Sequence, residues 1–352
     1  MKKPMGVLLT FFVAVACGGA LVAAQPFFGK NPSGERLERV RQSPNYRNGA
    51  FHNEVETQTI AVSVWTMARN MFQRHPDKRP SDSLPVVRTD LRALPKDSNL
   101  IVWFGHSSYL LQLDGKRILV DPVLVGASPV PFAIRAFTGA NCYRPEDMPE
   151  VDYVIVTHDH YDHLDYKTQK ALRDSIGHVV APLGVGSHFE HWGFNAEKIH
   201  DLDWYEKRTF DDGFTFHCMP ARHFSGRGKG SNKTLWGSFV IESPSGKRVF
   251  VGGDGGYGPH FKRIGEMFPD IDLAILENGQ YNAMWPQIHT LPEELSLVMT
   301  DIAAKRYLTV HHGKYSLSTH PWDEPLQNER RAASASGSDL IVLSIGEVKP
   351  IE

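Results

Sequence analysis

Short apolar runs recur along the chain from residue 100 onward, and polar or glycine-rich turns separate them. Runs of this length, rich in β-branched and aromatic residues, predict buried strands. The dipeptide Asp114-Gly115, between two of the early runs, is typical of a β-hairpin turn. The predicted strands cover residues 100–104, 109–113, 116–121, 151–156, 214–221, 235–242, 247–251, 306–310 and 339–344.

Two segments between these runs, residues 166–176 and 292–305, carry apolar residues at helical spacing. Strands therefore come in pairs between helices. This order suggests two packed sheets with helices outside them, in a main domain that covers residues 99–352.

The amino terminus has a different pattern, because Lys2 and Lys3 precede an uncharged apolar stretch over residues 5–24. Its small-residue end is typical of a signal cleavage site. The same stretch is long enough to span a bilayer if it is not cleaved. We predict that residues 1–24 are a signal peptide or an N-terminal membrane anchor, with lipidation at Cys17 as a third possibility and a buried cytosolic helix as the remaining alternative. A bacterial cell envelope location, periplasmic or membrane-anchored, follows from the first three.

Residues 25–98 are predicted to form an irregular extension with one helix. Residues 25–53 are rich in Pro, Asn, Gly and Arg, and residues 75–95 contain four prolines. Between them, residues 55–72 carry apolar side chains at helical spacing. This helix is expected to pack on the main domain, and a membrane-facing or groove-covering role is the alternative.

Composition excludes few classes of protein. The 352 residues have a formal net charge of −2, with 22% charged and 41% hydrophobic residues, which is enough to bury a large core. No basic block is long enough to follow a phosphate backbone, so no nucleic-acid partner is predicted. The locally basic residues 222–233 are predicted to form a loop at the rim of the site. Three cysteines imply no disulfide framework, and Cys218 is expected in the core.

The densest chemistry follows the predicted strand 151–156, where His158, His160, Asp162 and His163 crowd into six positions. A strand-to-helix turn allows ligands from alternate positions to converge on one point. Imidazole nitrogens and carboxylate oxygens are ligands that zinc takes. The alternative is a solvated, histidine-rich loop in a chain with 17 histidines.

Three later strand ends repeat this arrangement, with His223, Asp254 and His311 directly after apolar runs. A histidine at a strand end is by itself more often a polar surface residue. Four such ends in order along one chain predict that the side chains meet in a single metal site.

This order resembles the metallo-β-lactamase superfamily, whose signature is HxHxDH followed by a His, an Asp and a final His. The closer similarity is to the branch that contains N-acylphosphatidylethanolamine-hydrolysing phospholipase D and its bacterial relatives. The chain differs from that branch at Gly255, where Thr is common, and at His312, where Trp is common. The matching segments are Trp103 to Ser108, Val120-Asp121-Pro122, His158 to Asp165, Pro220 to His223, Leu235 to Phe239, Gly253 to Tyr257 and Val310 to Gly313.

The resemblance implies an α/β fold, the four-layer αββα metallo-β-lactamase sandwich, and two Zn²⁺ ions that share a hydroxide nucleophile. It implies that Asp162, Asp254 and His289 are catalytic, and that His289 binds substrate or protonates the leaving group; the alternative for His289 is a surface loop. The implied metal ligands are His158, His160 and His223 for one ion, Asp162, His163 and His311 for the other, and Asp254 as the bridge.

Two further residues, His106 and Asp165, are candidates for holding imidazole tautomers. A helix N-cap is the alternative role for Asp165. Aromatic side chains near the ligand strands either line an acyl groove or pack in the core; they are Trp236, Tyr257, Tyr281 and Trp285.

The predicted function is therefore that of a zinc-dependent phosphodiesterase of the phospholipase D type. Its expected partners are an N-acylphosphatidylethanolamine-like phospholipid or another small phosphodiester, and a membrane contacted through the amino terminus. The alternative is a lactonase, esterase or lactamase that acts on a carbonyl substrate. A metal-binding envelope protein without catalytic activity is the third possibility.

Overall fold

The structure is a computed structural model that describes residues 25–72, 75–130, 132–228 and 230–351. The predicted signal peptide or anchor at residues 1–24 lies outside these ranges. Within them, no helix combines the length and the apolar character needed to cross a membrane.

Two seven-stranded mixed sheets form the centre of the fold. In the first sheet the spatial order is β16-β3-β4-β5-β6-β7-β8, and in the second it is β15-β14-β13-β12-β11-β10-β9. The strands of the first sheet are β3 (Leu100–Trp103), β4 (Tyr109–Leu113), β5 (Lys116–Val120), β6 (Val151–Ile155), β7 (Ile176–Pro182), β8 (Ile199–Leu202) and β16 (Val348–Pro350). Those of the second are β9 (Lys207–Thr209), β10 (Thr215–Met219), β11 (Ser238–Glu242), β12 (Arg248–Val251), β13 (Leu273–Glu277), β14 (Arg306–Val310) and β15 (Asp339–Ile341).

Helices cover the outer faces of both sheets. The α-helices are α1 (Gly34–Gln42), α2 (Val64–Phe72), α3 (Tyr166–Leu172), α4 (Gly186–His191), α5 (Pro259–Met267), α6 (Leu295–Ile302) and α7 (Glu324–Ser336). Short 3-10 helices lie at Pro26–Phe28, Leu91–Ala93, Pro145–Asp147, Arg173–Ser175 and Ala196–Lys198. A two-stranded hairpin, β1 (Tyr46–Arg47) with β2 (Ala50–Phe51), precedes the sheets.

Burial on both faces explains why the strands appear in the sequence as continuous apolar runs. In β4, Tyr109 and Leu111 belong to the core between the two sheets, whereas Leu110 belongs to the core beneath the outer helices. A third core packs α5, α6 and α7 on the second sheet. The molecule is therefore the predicted four-layer αββα sandwich.

The sequence predicted several elements to the residue and missed others. The strands at 109–113 and 306–310 and the β4–β5 hairpin are confirmed. Cys218 is buried in the core as expected, and both Cys142 and Cys218 are free thiols. The helix predicted over 166–176 ends earlier, because Ile176 begins β7. The missed elements include β7, β8, β9, β13, β16, α4, α5 and α7.

The prediction of a single helix in residues 25–98 is wrong, because both α1 and α2 lie there. The helix expected from residue 55 begins only at Val64. Over residues 51–60 the exposure alternates, with odd-numbered residues turned inward and even-numbered residues exposed. This period of two is that of extended chain, and it competes with the helical spacing of the apolar residues in the same segment.

Candidate metal centre

The carboxyl ends of four aligned strands deliver the predicted ligands to one edge of the sandwich. His158 follows β6, His223 follows β10, Asp254 follows β12 and His311 follows β14. The strands β12 and β14 belong to the parallel part of their sheet, so their ends open at the same edge. The seven side chains come together in overlapping groups whose ligand atoms lie within 4.8 Å of one another.

The first group consists of His158, His160 and His223. His160 Nδ1 lies 2.9 Å from His158 Nε2 and 3.2 Å from His223 Nε2. His223 Nδ1 donates to the carbonyl of Ile288 at 2.8 Å, which leaves the Nε2 lone pair facing the group. Tetrahedral zinc with bonds of about 2.0–2.1 Å would hold its nitrogen ligands about 3.4 Å apart, close to these separations.

The tautomer of His158 is set in the same way. Thr157 Oγ1 donates to Asp121 at 2.7 Å, so at 3.0 Å it accepts from His158 Nδ1. The Nε2 lone pair of His158 then also faces the group. Burial lowers the pKa of His158 and of His223 well below the usual value, which favours the neutral form of both rings. Neutral imidazoles with converging lone pairs are the state that a metal ion requires.

The second group consists of Asp162, His163 and His311, with His106 beside them. His163 Nδ1 is held by Asp121 at 2.8 Å, and its buried Nε2 has no hydrogen-bond partner among the described residues. Burial would lower the pKa of His163, but the carboxylates of Asp254, Asp162 and Asp121 outweigh it and hold the pKa well above its usual value. The group therefore favours a positive charge, which a proton or a metal cation can supply.

Asp254 lies between the two groups. Its Oδ2 is 3.2 Å from His163 Nε2 and 3.8 Å from His158 Nε2 and from His223 Nε2, and its Oδ1 is 3.1 Å from His311 Nδ1. Burial opposes ionisation, yet His163 and His311 hold the pKa of Asp254 well below the usual value. Oδ1 is buried without a hydrogen bond in the described structure.

The glycines beside Asp254 allow this position. Gly253 has φ +64°, and a Cβ there would lie 2.9 Å from the carbonyl oxygen of Gly237. A larger residue would push the strand end away from the cluster. The candidate ligand His311, at φ 69°, and the nearby His106, at φ 54°, also adopt the left-handed region. Such conformations cost about 1–3 kcal/mol each and cluster at functional sites.

The residues present fit divalent metal ions. Orphaned atoms of His163 and Asp254 lie in the cluster, and His158 and His223 face it with the ring nitrogen that is not used as a donor elsewhere. Nitrogen and carboxylate donors of this kind suit zinc, iron and related metals.

His289 also reaches this site, and its side chain is 11% exposed. Its Nδ1 lies 2.7 Å from Glu277 Oε2, and Glu277 Oε1 accepts from the backbone N–H of Gly255 and of Thr290. Burial raises the pKa of Glu277 to about 7. Burial alone would lower the pKa of His289, but Glu277 reverses this and raises it. Glu277 was missed in the sequence, where only its position at the end of an apolar run marks it.

The two residues proposed to fix imidazole tautomers, His106 and Asp165, hydrogen-bond to other groups. His106 Nε2 lies 2.8 Å from Asp162 Oδ2, so it orients a carboxylate rather than an imidazole. Asp165 is the N-cap of α3, accepting from Lys167 N at 3.1 Å, and also bonds Thr168. Asp121 is the residue that holds an imidazole, that of His163. In the sequence it was noted only as part of the matching segment Val120-Asp121-Pro122.

The predicted aromatic groove is in part core. Trp236 is 1% exposed, and Tyr281 is buried with its hydroxyl on Glu324. The basic loop at 222–233 does lie beside the ligands, but Arg227 is buried within it. Its guanidinium donates to the carbonyls of Asp159 and Leu164 and stacks on Tyr161.

A four-layer sandwich that gathers histidines and carboxylates at its strand ends defines a metal-dependent hydrolase. The chain belongs to the metallo-β-lactamase superfamily, since residues 116–312 match the family model described as a beta-lactamase superfamily domain.

Relatives of known sequence cover most of the chain. It is 37% identical over 324 residues to the protein Rv0906 of Mycobacterium tuberculosis, covering 86% of this chain and 82% of that one. It is 30% identical to N-acyl-phosphatidylethanolamine-hydrolyzing phospholipase D 1 of Caenorhabditis elegans over 77% of this chain and 82% of the other. Among solved structures, Igni18, a metallo hydrolase from Ignicoccus hospitalis, has the same fold, with a TM-score of 0.55 and 21% identity over 72% of this chain and 99% of that one.

Proposed function

We propose that this chain is a binuclear zinc phosphodiesterase of the phospholipase D type that hydrolyses N-acylphosphatidylethanolamine-like phospholipids. The observation that carries the proposal is the position of Asp254, a single carboxylate shared by two adjacent groups of His and Asp donors. Such a donor set suits metal ions that bind phosphoryl oxygens. The Caenorhabditis elegans relative is named as a phospholipase D that hydrolyses N-acyl-phosphatidylethanolamine, and this name supports the substrate class.

Metal ions held by these residues would supply Lewis acidity and an activated water. The chain's own residues prepare the rest of the reaction. Hydrolysis forms a P–O bond to the oxygen of water and breaks the P–O bond to the alcohol, whose leaving oxygen needs a proton. His289 supplies it, because Glu277 holds its Nδ1 at 2.7 Å and raises its pKa, which favours the protonated ring.

We expect close to two zinc ions per chain, because the seven candidate ligands are too many for one tetrahedral ion. Elemental analysis after purification in zinc-replete medium measures this ratio. One ion per chain, or none, would contradict the binuclear proposal, whereas iron or manganese would change only the metal.

We further propose that the protein resides in the bacterial cell envelope and contacts a membrane near its amino terminus. Near the start of the described chain, Phe27 lines a cavity of about 240 Å³ together with Val125 and with Tyr161 of the ligand loop. Further along the same loop as Val125, Val130 is 41% exposed and Phe132 is 70% exposed. Exposed apolar side chains on this loop would hold the metal site at a lipid surface, which would raise the local concentration of phospholipid.

The substrate class predicts an order of activities. The zinc-loaded, full-length protein should hydrolyse N-acylphosphatidylethanolamine in vesicles with a higher kcat/KM than a lactone or a β-lactam. Bis-p-nitrophenyl phosphate serves as a soluble phosphodiester that separates the chemistry from lipid recognition. Higher efficiency on either carbonyl substrate would transfer the protein to the lactonase and lactamase class.

A further inference from the structure

The extended segment of residues 51–61, here named the N-terminal strap, joins two loops of the metal centre. At one end Phe51 N donates to the carbonyl of Asn232 at 2.8 Å. At the other end Gln58 N donates to Gln287 Oε1 at 2.7 Å, and Ala61 N donates to the carbonyl of Met284 at 2.7 Å. The strap therefore connects the loop that carries His223 to the loop that carries His289.

Between these ends, Asn53 holds the main chain of a proposed ligand. Its Nδ2 donates to the carbonyl of His223 at 2.8 Å, and its Oδ1 accepts from the N–H of His223 at 3.1 Å. The same Oδ1 accepts from Nε1 of the buried Trp236 at 3.1 Å. A side-chain amide offers the donor and the acceptor that this paired contact needs, whereas a carboxylate only accepts.

The ring of His223 is held by the second loop. Its Nδ1 donates to the carbonyl of Ile288, the neighbour of Gln287, to which the strap is bonded. The strap thus supports both the backbone of His223 and the loop whose carbonyl selects its tautomer. Arg222, next to His223, adds bonds to the carbonyl of Glu56 and to Thr57 Oγ1.

We propose that Asn53 is a positioning residue for the metal group formed by His158, His160 and His223. Although it lies outside the matched family region of residues 116–312, it aims the Nε2 of His223 at the other two imidazoles. Partners that orient metal ligands typically contribute about 10–100-fold to metal affinity. The strap is by this inference a part of the metal centre and not only a covering of the domain.

The test compares zinc affinities of the full-length wild type with those of Asn53→Ala and Asn53→Asp, by competition with a chromophoric chelator. Both variants should lose about tenfold or more in one of the stepwise zinc constants. The Asp variant is informative because it keeps the acceptor for His223 N but turns an oxygen toward the His223 carbonyl. Circular dichroism fixes a temperature at which every variant is folded.

The matched control is Asn45→Ala, which removes an amide from the same extension whose side-chain bond goes to Asp203 instead. Its zinc constants should equal those of the wild type. The proposal is overturned if both Asn53 variants bind zinc as tightly as the wild type, or if Asn45→Ala weakens binding equally. No substrate is needed, so a failure here is distinct from a failure of the proposed reaction.

Discussion

Replacing Asp254 by asparagine is expected to reduce hydrolysis by at least about 100-fold and to weaken both metal groups. The variant keeps the shape of the side chain but removes a charge that lies within 3.8 Å of a ring nitrogen of each of His158, His163, His223 and His311. Loss of residues that merely orient ligands already costs about 10–100-fold, and a shared ligand should cost more. Metal content and kcat/KM on the best phosphodiester measure the effect.

Asp201→Asn is the matched control for the loss of a buried carboxylate. Asp201 pairs with Arg36 at 2.6 Å and accepts from the N–H of Gly184 and of Gly186. This variant should melt at a lower temperature, because Arg36 loses one of its two carboxylate partners, but each folded chain should keep its metal. Wild-type activity in Asp254→Asn would show that Asp254 is not the shared ligand.

Replacing His289 by alanine should lower kcat by about 10²–10⁴-fold and leave the metal content unchanged. The ring is placed in the site by Glu277, at 2.7 Å from Nδ1. If the variant instead loses metal, His289 is a ligand; its ring does lie in a group with Asp254, Glu277 and His311. Measuring activity and metal content on the same samples separates the two outcomes.

Glu277→Gln tests the same proton transfer through the residue that hydrogen-bonds to His289. The carboxylate raises the pKa of His289, and an acid acts only below its pKa. Removing this charge lowers that pKa, so the alkaline limb of the kcat profile should move to lower pH. A profile that does not move would show that His289 does not donate the proton.

The clustering of the candidate ligands could be predicted from the sequence because each candidate lies within a few residues of an apolar run. Four residues of the cluster follow β6 at fixed short spacing, and His223, Asp254 and His311 follow later strands. Strands recognised as apolar runs identify their own ends. What could not be predicted is that β5 and β13 also end at this edge, with Asp121 and Glu277. Strand pairing depends on contacts between distant segments.

Asp121 and Glu277 illustrate this limit. Both residues come at the end of an apolar run that is visible in the sequence. Their partners, His163 and His289, lie 42 and 12 positions away along the chain. A carboxylate at a strand end is common, and its role depends on what the neighbouring strand presents. The pairing of β5 with β6 and the position of β13 beside β12 and β14 supply those partners.

The strap shows why the local pattern can mislead. Apolar residues over 55–72 satisfy helical spacing, but tertiary contacts hold the first part extended, from the buried Phe51 to the bond between Gln58 and Gln287. The sequence by itself indicated the layered architecture, the strand ends beside the site and the candidate ligands, because burial patterns and donor chemistry are local. Only the tertiary structure decided the imidazole tautomers, the partners of Asp121 and Glu277 and the contact of Asn53 with His223, because these depend on hydrogen bonds between segments that meet only after folding.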